Sequence, residues 1–201
     1  MDSLITTPSQ LTEQTISKVY EIHKRVYFDK GIGHPKEVWC DNLFRGYHNA
    51  GTKYVQIFRV HETTESIVDG YSICTGPVDC AGDIWMKIIE AGLTLKGGRR
   101  DIPNAFTQML TMLVTNPIGE YRGDINFVAE VDIQSEKIAS ILLDRVGFKH
   151  MLDKTLAHTV VRAFLKDIDF RIKDTDPGLI IERRTAIKNE YVGQIAVYET
   201  T

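Results

Sequence analysis

The spacing of apolar residues changes sharply around residues 128–148 (VAEVDIQSEKIASILLDRVGF), and no other feature limits so closely what this chain can fold into. Ile125, Phe127, Ala129 and Val131 alternate, whereas Ile138, Ile141, Leu142 and Val146 recur every third or fourth position. Alternation turns one face of a strand to a core and the longer period turns one stripe of a helix to it, so the stretch reads as strand, sharp turn and amphipathic helix. Ser135 is the expected N-cap, accepting from an unpaired amide of the first turn, and Glu136 adds negative charge at the positive helix end. Gly147 is the expected left-handed C-cap.

With 201 residues, 43% hydrophobic and 25% charged, the chain can bury one substantial core, and one domain with an extension fits better than two domains. A formal charge of −3 gives no electrostatic basis for nucleic acid or an anionic membrane as the main partner. Cys40, Cys74 and Cys80 are odd in number and lack zinc-ligand spacing, so free thiols in a reducing, cytoplasmic compartment and no metal site are expected. The N-terminal MDSLITTPSQ has no basic start followed by an apolar run, and no run of about 18 apolar residues occurs.

In chain order, Ile16, Val19, Tyr20, Ile22, Val26 and Tyr27 mark a first helix, capped at Ser9 or Thr12 and ending near Gly31. A short second helix over 37–44 is expected to carry Trp39 and Phe44 to the core. Residues 53–60 and 67–75 read as a β-hairpin, 76–82 as a Gly- and Pro-containing connection, and 84–95 as a long strand that Gly92 bulges or splays. Pro103 suits a helix start, with Phe106, Met109, Leu110 and Leu113 inward from 105 to 114. After the organising stretch, 156–165 reads as a further strand. Residues 166–201 read as a separate extension, an extra hairpin or a tail along a sheet edge, whose apolar Ile180, Val192, Ile195, Val197 and Tyr198 could meet a second copy of the chain.

Over residues 12–165 this order of elements resembles the GNAT superfamily of N-acyltransferases. The family's closing helix pattern meets Ala139, Leu142, Gly147 and Phe148 without a gap, and its long-strand pattern with the following Arg-Gly-rich loop meets Leu93, Leu95, Arg100 and Ala105. The resemblance implies an α/β (α+β) fold with a mixed, mostly antiparallel sheet flanked by helices and a V-shaped cleft between the strands at 84–95 and 125–131. It also implies a transferase that takes acetyl-CoA or another acyl-CoA as co-substrate and a small-molecule or peptide amine as acceptor.

A loop entering a helix presents unpaired amides and the positive end of the helix dipole, which can hold a pyrophosphate. Arg99 and Arg100 would form a cationic rim beside the amides of Asn104 and Ala105, while Leu93 and Leu95 would line the pantetheine strand. Asp101 and Pro103 stand where the family has glycines. Leu143 stands where the family commonly has a Tyr that protonates the leaving thiolate, and it has no proton to give. Tyr121 and Tyr191 are other phenols available for that role. Glu90 is the candidate general base: enclosed among apolar neighbours it could take a proton from an amine, and facing outward it would be an ordinary strand residue. His34, His48, His61, His150 and His158 have no nucleophile or acid at motif spacing, and no role is assigned to them.

Two other functions fit the same residues. The acyl-homoserine-lactone synthases share the fold but use acyl carrier protein, and residues 25–41 have some of their character, although Tyr71 and Ser72 follow Gly70 where an arginine is expected. A non-catalytic GNAT-like binding or structural protein would account for the lost glycines and the lost Tyr.

Overall fold

The computed structural model describes residues 1–45, 51–60, 68–94, 104–119, 121 and 123–200. The chain opens with a strand that the sequence reading had not assigned, β1 (Asp2–Thr6), whose residues pair antiparallel from Asp2↔Arg59 to Thr6↔Val55. Helix α1 (Glu13–Val26) is capped by Thr12, whose Oγ1 accepts the Thr15 amide at 3.2 Å, and it buries Val19, Tyr20, Ile22 and His23. A short 3-10 turn (Phe28–Lys30) ends at Gly31, with φ of 73°. In α2 (Lys36–Arg45), Trp39 and Leu43 are buried, but Phe44 is 53% exposed. The inward assignment of Phe44 fails because residues four apart share a helix face, and the next residue turns about 100° away.

Strands β2 (Thr52–Arg59), β3 (Gly70–Cys80) and β4 (Asp83–Leu93) follow. The connection expected over 76–82 is instead mostly strand. The chain reverses at Ala81 and Gly82, with φ of 59° and 87°, a two-residue turn whose positive angles match the twist of the strands it joins. Helix α3 (Ala105–Thr115) buries Met109, Leu110 and Leu113 and half-buries Phe106.

Strand β5 (Asn126–Asp132) and helix α4 (Glu136–Ile141) stand where the change of period puts them. The helix widens into a π turn (Leu142–Val146) that Gly147 ends at φ 100°, as expected of its C-cap. Ser135 sits at the N-cap position but its side chain makes no capping bond. Its carbonyl accepts the Ile138 and Ala139 amides, and Asp132 Oδ1 accepts the Gln134 amide of the turn. After the short β6 (Lys149–His150), residues 156–165 form most of helix α5 (Lys154–Phe164), not a strand. Ala157, Val160, Val161 and Phe164 are its buried stripe, and Asp153 caps it by accepting the Thr155 and Leu156 amides, both at 2.9 Å.

Residues 166–201 contribute β7 (Phe170–Asp174), β8 (Leu179–Arg183) and β9 (Tyr191–Tyr198). The strands bond in the order β1-β2-β3-β4-β5-β9-β8-β7, an open mixed sheet, mostly antiparallel and flanked by helices, as the fold expected from the resemblance requires. The stretch expected as an extra hairpin or an edge-covering tail supplies the antiparallel pair β7–β8 and the strand β9, all within this sheet. β9 pairs with β5 from Phe127↔Tyr198 to Asp132↔Gly193, and Ile195 and Val197 are buried. β4 and β5 run parallel and pair only from Trp85↔Asn126 to Ile88↔Ala129, while β4 continues to Leu93. Parallel, briefly paired strands exclude an ordinary hairpin there.

The described residues fall into two compact units, Met1–Tyr47 with Lys53–Cys74 and Glu90–Arg122, and His48–Thr52 with Thr75–Ile89 and Gly123–Thr201. The first buries Trp39, Tyr71, Phe58 and Ile73. The second centres on Trp85, Val128, Val160, Phe164, Ile181 and Ile195.

Candidate functional site

Glu90 lies on β4 in the first unit and is 9% exposed, so it faces inward. Its burial follows from Gly92, two residues on. A Cβ at Gly92 would lie 2.8 Å from Tyr71 Cε1 and 3.2 Å from Ile22 Cγ2, so the glycine makes room for the Tyr71 ring. The bulge expected of Gly92 is thus a close approach of an aromatic ring. Fully buried Tyr71 donates its hydroxyl proton to Glu90 Oε1. His23 Nδ1 lies 2.6 Å from the same oxygen, and Trp39 Nε1 donates to it at 3.3 Å. A buried carboxylate is costly unless hydrogen-bonded, and these groups supply the bonds.

The His23 ring is packed by Tyr20, Tyr27 and Trp39, with centroids 5.7, 5.4 and 5.5 Å away. Its Nε2 accepts the backbone N–H of His34 at 3.1 Å, and Tyr20 donates to the His34 carbonyl at 3.3 Å. Burial pushes the His34 imidazole down. Tyr27 reaches β4 beside this cluster: its hydroxyl donates to the Ala91 carbonyl and accepts the Ala91 amide at 3.2 Å. Burial, and after it the charge of Glu90, push the Tyr27 phenol well above its ordinary value, so it stays a proton donor.

Of the sequence-assigned site residues, Glu90 is the one found in this cluster. Leu93, half-buried on β4, lies against Gly70, where a Cβ would meet its Cδ1 at 2.7 Å. Asn104 precedes α3 in a left-handed conformation with φ of 75°, and its carbonyl accepts the Gln108 amide at 2.8 Å. Ala105 is buried. Leu95, Arg99, Arg100, Asp101 and Pro103 lie outside the described residues, as do His48 and His61. Sequence reasoning missed His23, Tyr71 and Trp39 as partners of Glu90. The available signal was a histidine on the buried stripe of α1, three residues after Tyr20.

A second buried polar group lies in the other unit. Glu130 of β5 is bound by Lys87 Nζ at 2.5 Å and Arg183 Nη2 at 2.9 Å, and the Arg183 guanidinium lies 4.9 Å from the Tyr191 ring centroid. Burial pushes the Lys87 ammonium below its ordinary value. Arg183 adds to this, and Glu130 opposes it. Among the described residues no group of three or more His, Cys, Asp or Glu side chains could hold a metal ion, and no helix is long and apolar enough to cross a membrane. The three cysteines are free, and burial pushes the Cys74 thiol up to about 12.

No protein family matches the chain by its sequence, and no curated protein does. Among solved structures it is similar to Arabidopsis thaliana NAA60 in complex with a bisubstrate analogue (9% identity over 98% of each chain, TM-score 0.48). It is also similar to Escherichia coli ElaA, at 7% identity over 99% of this chain and 100% of that one, with a TM-score of 0.49. The N-acetyltransferase PseH of Campylobacter jejuni is similar at 10% identity over 99% of each chain, with a TM-score of 0.45.

Proposed function

We propose that the chain is a divergent N-acyltransferase of the GNAT type that moves an acyl group from acetyl-CoA or another acyl-CoA to a small-molecule or peptide amine. The observation that carries this reading is Glu90, a carboxylate buried on β4 two residues past the last pairing with β5. The gapless matches to the family's strand and helix patterns support it. In the reaction the amine nitrogen attacks the thioester carbonyl carbon, the carbon–sulfur bond breaks, and an amide and the thiolate of coenzyme A result, the thiolate taking its proton from water and Glu90 returning the amine's proton to solvent. Glu90 takes the proton the amine loses. Leu143 has none to give the departing thiolate, so orientation of the two reactants supplies much of the rate, which can amount to several kcal/mol. Leu93 and Leu95 line the pantetheine, and Arg99, Arg100 and the amides of Asn104 and Ala105 hold the pyrophosphate. The free thiols favour the cytoplasm as its compartment. A second copy of the chain would pair along β7, the outer strand of the 166–201 region.

Calorimetric titration with acetyl-CoA and a longer acyl-CoA tests the reading, and no heat from either at millimolar concentration rejects it. With binding in hand, Glu90→Gln should lower the transfer rate by about 10²–10⁴-fold at unchanged thioester affinity, the range for losing one acid–base group. Arg100→Ala should weaken the thioester. Leu143 favours a second reading, a non-catalytic domain of the same fold, which a failed titration would leave standing.

A further inference from the structure

We propose that His23 is a positioning residue that ties the base Glu90 to the loop 31–35, so that the seating of this loop governs whether the carboxylate is correctly presented. The catalytic consequence rests on the acyl-transfer reading, but the hydrogen-bond geometry does not. An imidazole with one proton has one donor nitrogen and one acceptor nitrogen, and its neighbours decide which is which. The His34 amide can only donate, so Nε2 of His23 carries the lone pair and Nδ1 carries the proton. Nδ1 therefore donates to Glu90 Oε1, with the Tyr71 hydroxyl 3.5 Å from the same nitrogen. A second proton could not lodge at Nε2 without expelling the His34 amide. Glu90, not His23, is thus the acceptor of the pair, and its Oε2 takes no part in the three bonds gathered on Oε1.

The loop is seated by contact as well as by this bond. A Cβ on Gly33 would lie 2.6 Å from the Phe28 nitrogen, 2.8 Å from His23 Nε2 and 2.8 Å from Tyr27 Cβ, so the loop backbone rests directly on the ring. Gly33→Ala removes no side chain of the Glu90 cluster, and its Cβ fits only if the loop backbone and the His23 ring move apart. Once the loop is lifted, Nε2 loses its donor and only the Glu90 carboxylate still favours a proton on Nδ1, so the ring is free to turn and leave Oε1 to Tyr71 and Trp39.

The resting full-length protein, labelled with 15N-histidine and free of thioester and amine, gives the first measurement. Long-range proton–nitrogen correlation should show His23 protonated at Nδ1 and bare at Nε2. Gly33→Ala should lose that single tautomer and lower kcat more than tenfold, with acetyl-CoA Kd unchanged within twofold. An Nε2–H or doubly protonated ring in the unmodified protein overturns the proposal, whether or not the variant folds. So does a Gly33→Ala protein that loses the tautomer yet keeps its kcat. Absence of transfer by the unmodified protein would appear in the kinetic arm alone and would reject the acyl-transfer reading, while the tautomer arm still decides the role of His23.

Discussion

Gln56 shows how closely the polar interior of the first unit is specified. It is fully buried, and its amide donates to Ser3 Oγ at 2.8 Å and to the Met109 carbonyl at 2.9 Å while accepting from Ser72 Oγ at 2.7 Å. Gln56→Leu strands those partners, and chemical denaturation should register a loss of about 1–3 kcal/mol, the cost of a buried group left unpaired. Glu130 is a harsher case because it neutralises the buried Lys87 and the half-buried Arg183. Glu130→Leu should destabilise by roughly 3–5 kcal/mol, and an unchanged denaturation midpoint would mean that Lys87 sheds its proton at no cost. Phe148 is 3% exposed with its ring centroid 5.6 Å from that of Tyr198, so Phe148→Ala should cost about 3–5 kcal/mol, read from the same unfolding curves. At this scale the sequence left Glu90 either enclosed or facing outward, and what the structure adds is its burial. Its partners come from α1, α2 and β3, and nothing in local spacing announces which distant donors will meet one oxygen.

Helix α5 shows where local pattern and local preference part. Thr159, Val160 and Val161 are β-branched and suggest a strand, yet Ala157, Val160, Val161 and Phe164 lie on one helical stripe, and burying that stripe outweighs propensities worth tenths of a kcal/mol each. The Asp153 cap was the sequence signal that could have decided it. Asp153→Ala should cost about 0.5–2 kcal/mol, visible as a lowered unfolding temperature. The strand–turn–helix at 126–148 was readable because period, charge and terminal glycine agree there. Tyr27 works at the scale of elements too, since its hydroxyl takes both backbone groups of Ala91 as a neighbouring strand would. Tyr27→Phe should speed amide exchange at Ala91, and a protected amide in that variant would show that another group bonds it.

For the molecule as a whole, one pH-dependent contribution to stability lies at Asp132, which closes β5. Burial alone would push its carboxyl up, but the hydrogen bond from Lys188 at 2.5 Å, the Gln134 amide and the Lys188 charge together hold it below its ordinary value. A carboxyl depressed in the folded state adds stability above its unfolded value of about 3.9, and that stability is lost as pH falls through the folded value. The difference in unfolding temperature between the unmodified protein and Lys188→Ala should therefore be full near neutrality and shrink below about pH 4. A gap that stays constant into strong acid would assign the effect of Lys188 to packing. The position of β9 bears on how the chain is made. β5 leaves the ribosome long before Tyr191–Tyr198, yet one whole side of β5 belongs to that late strand. During synthesis Val128, Ala129 and Val131 must wait beside an unfilled backbone edge, the situation in which nascent chains recruit chaperones or join one another.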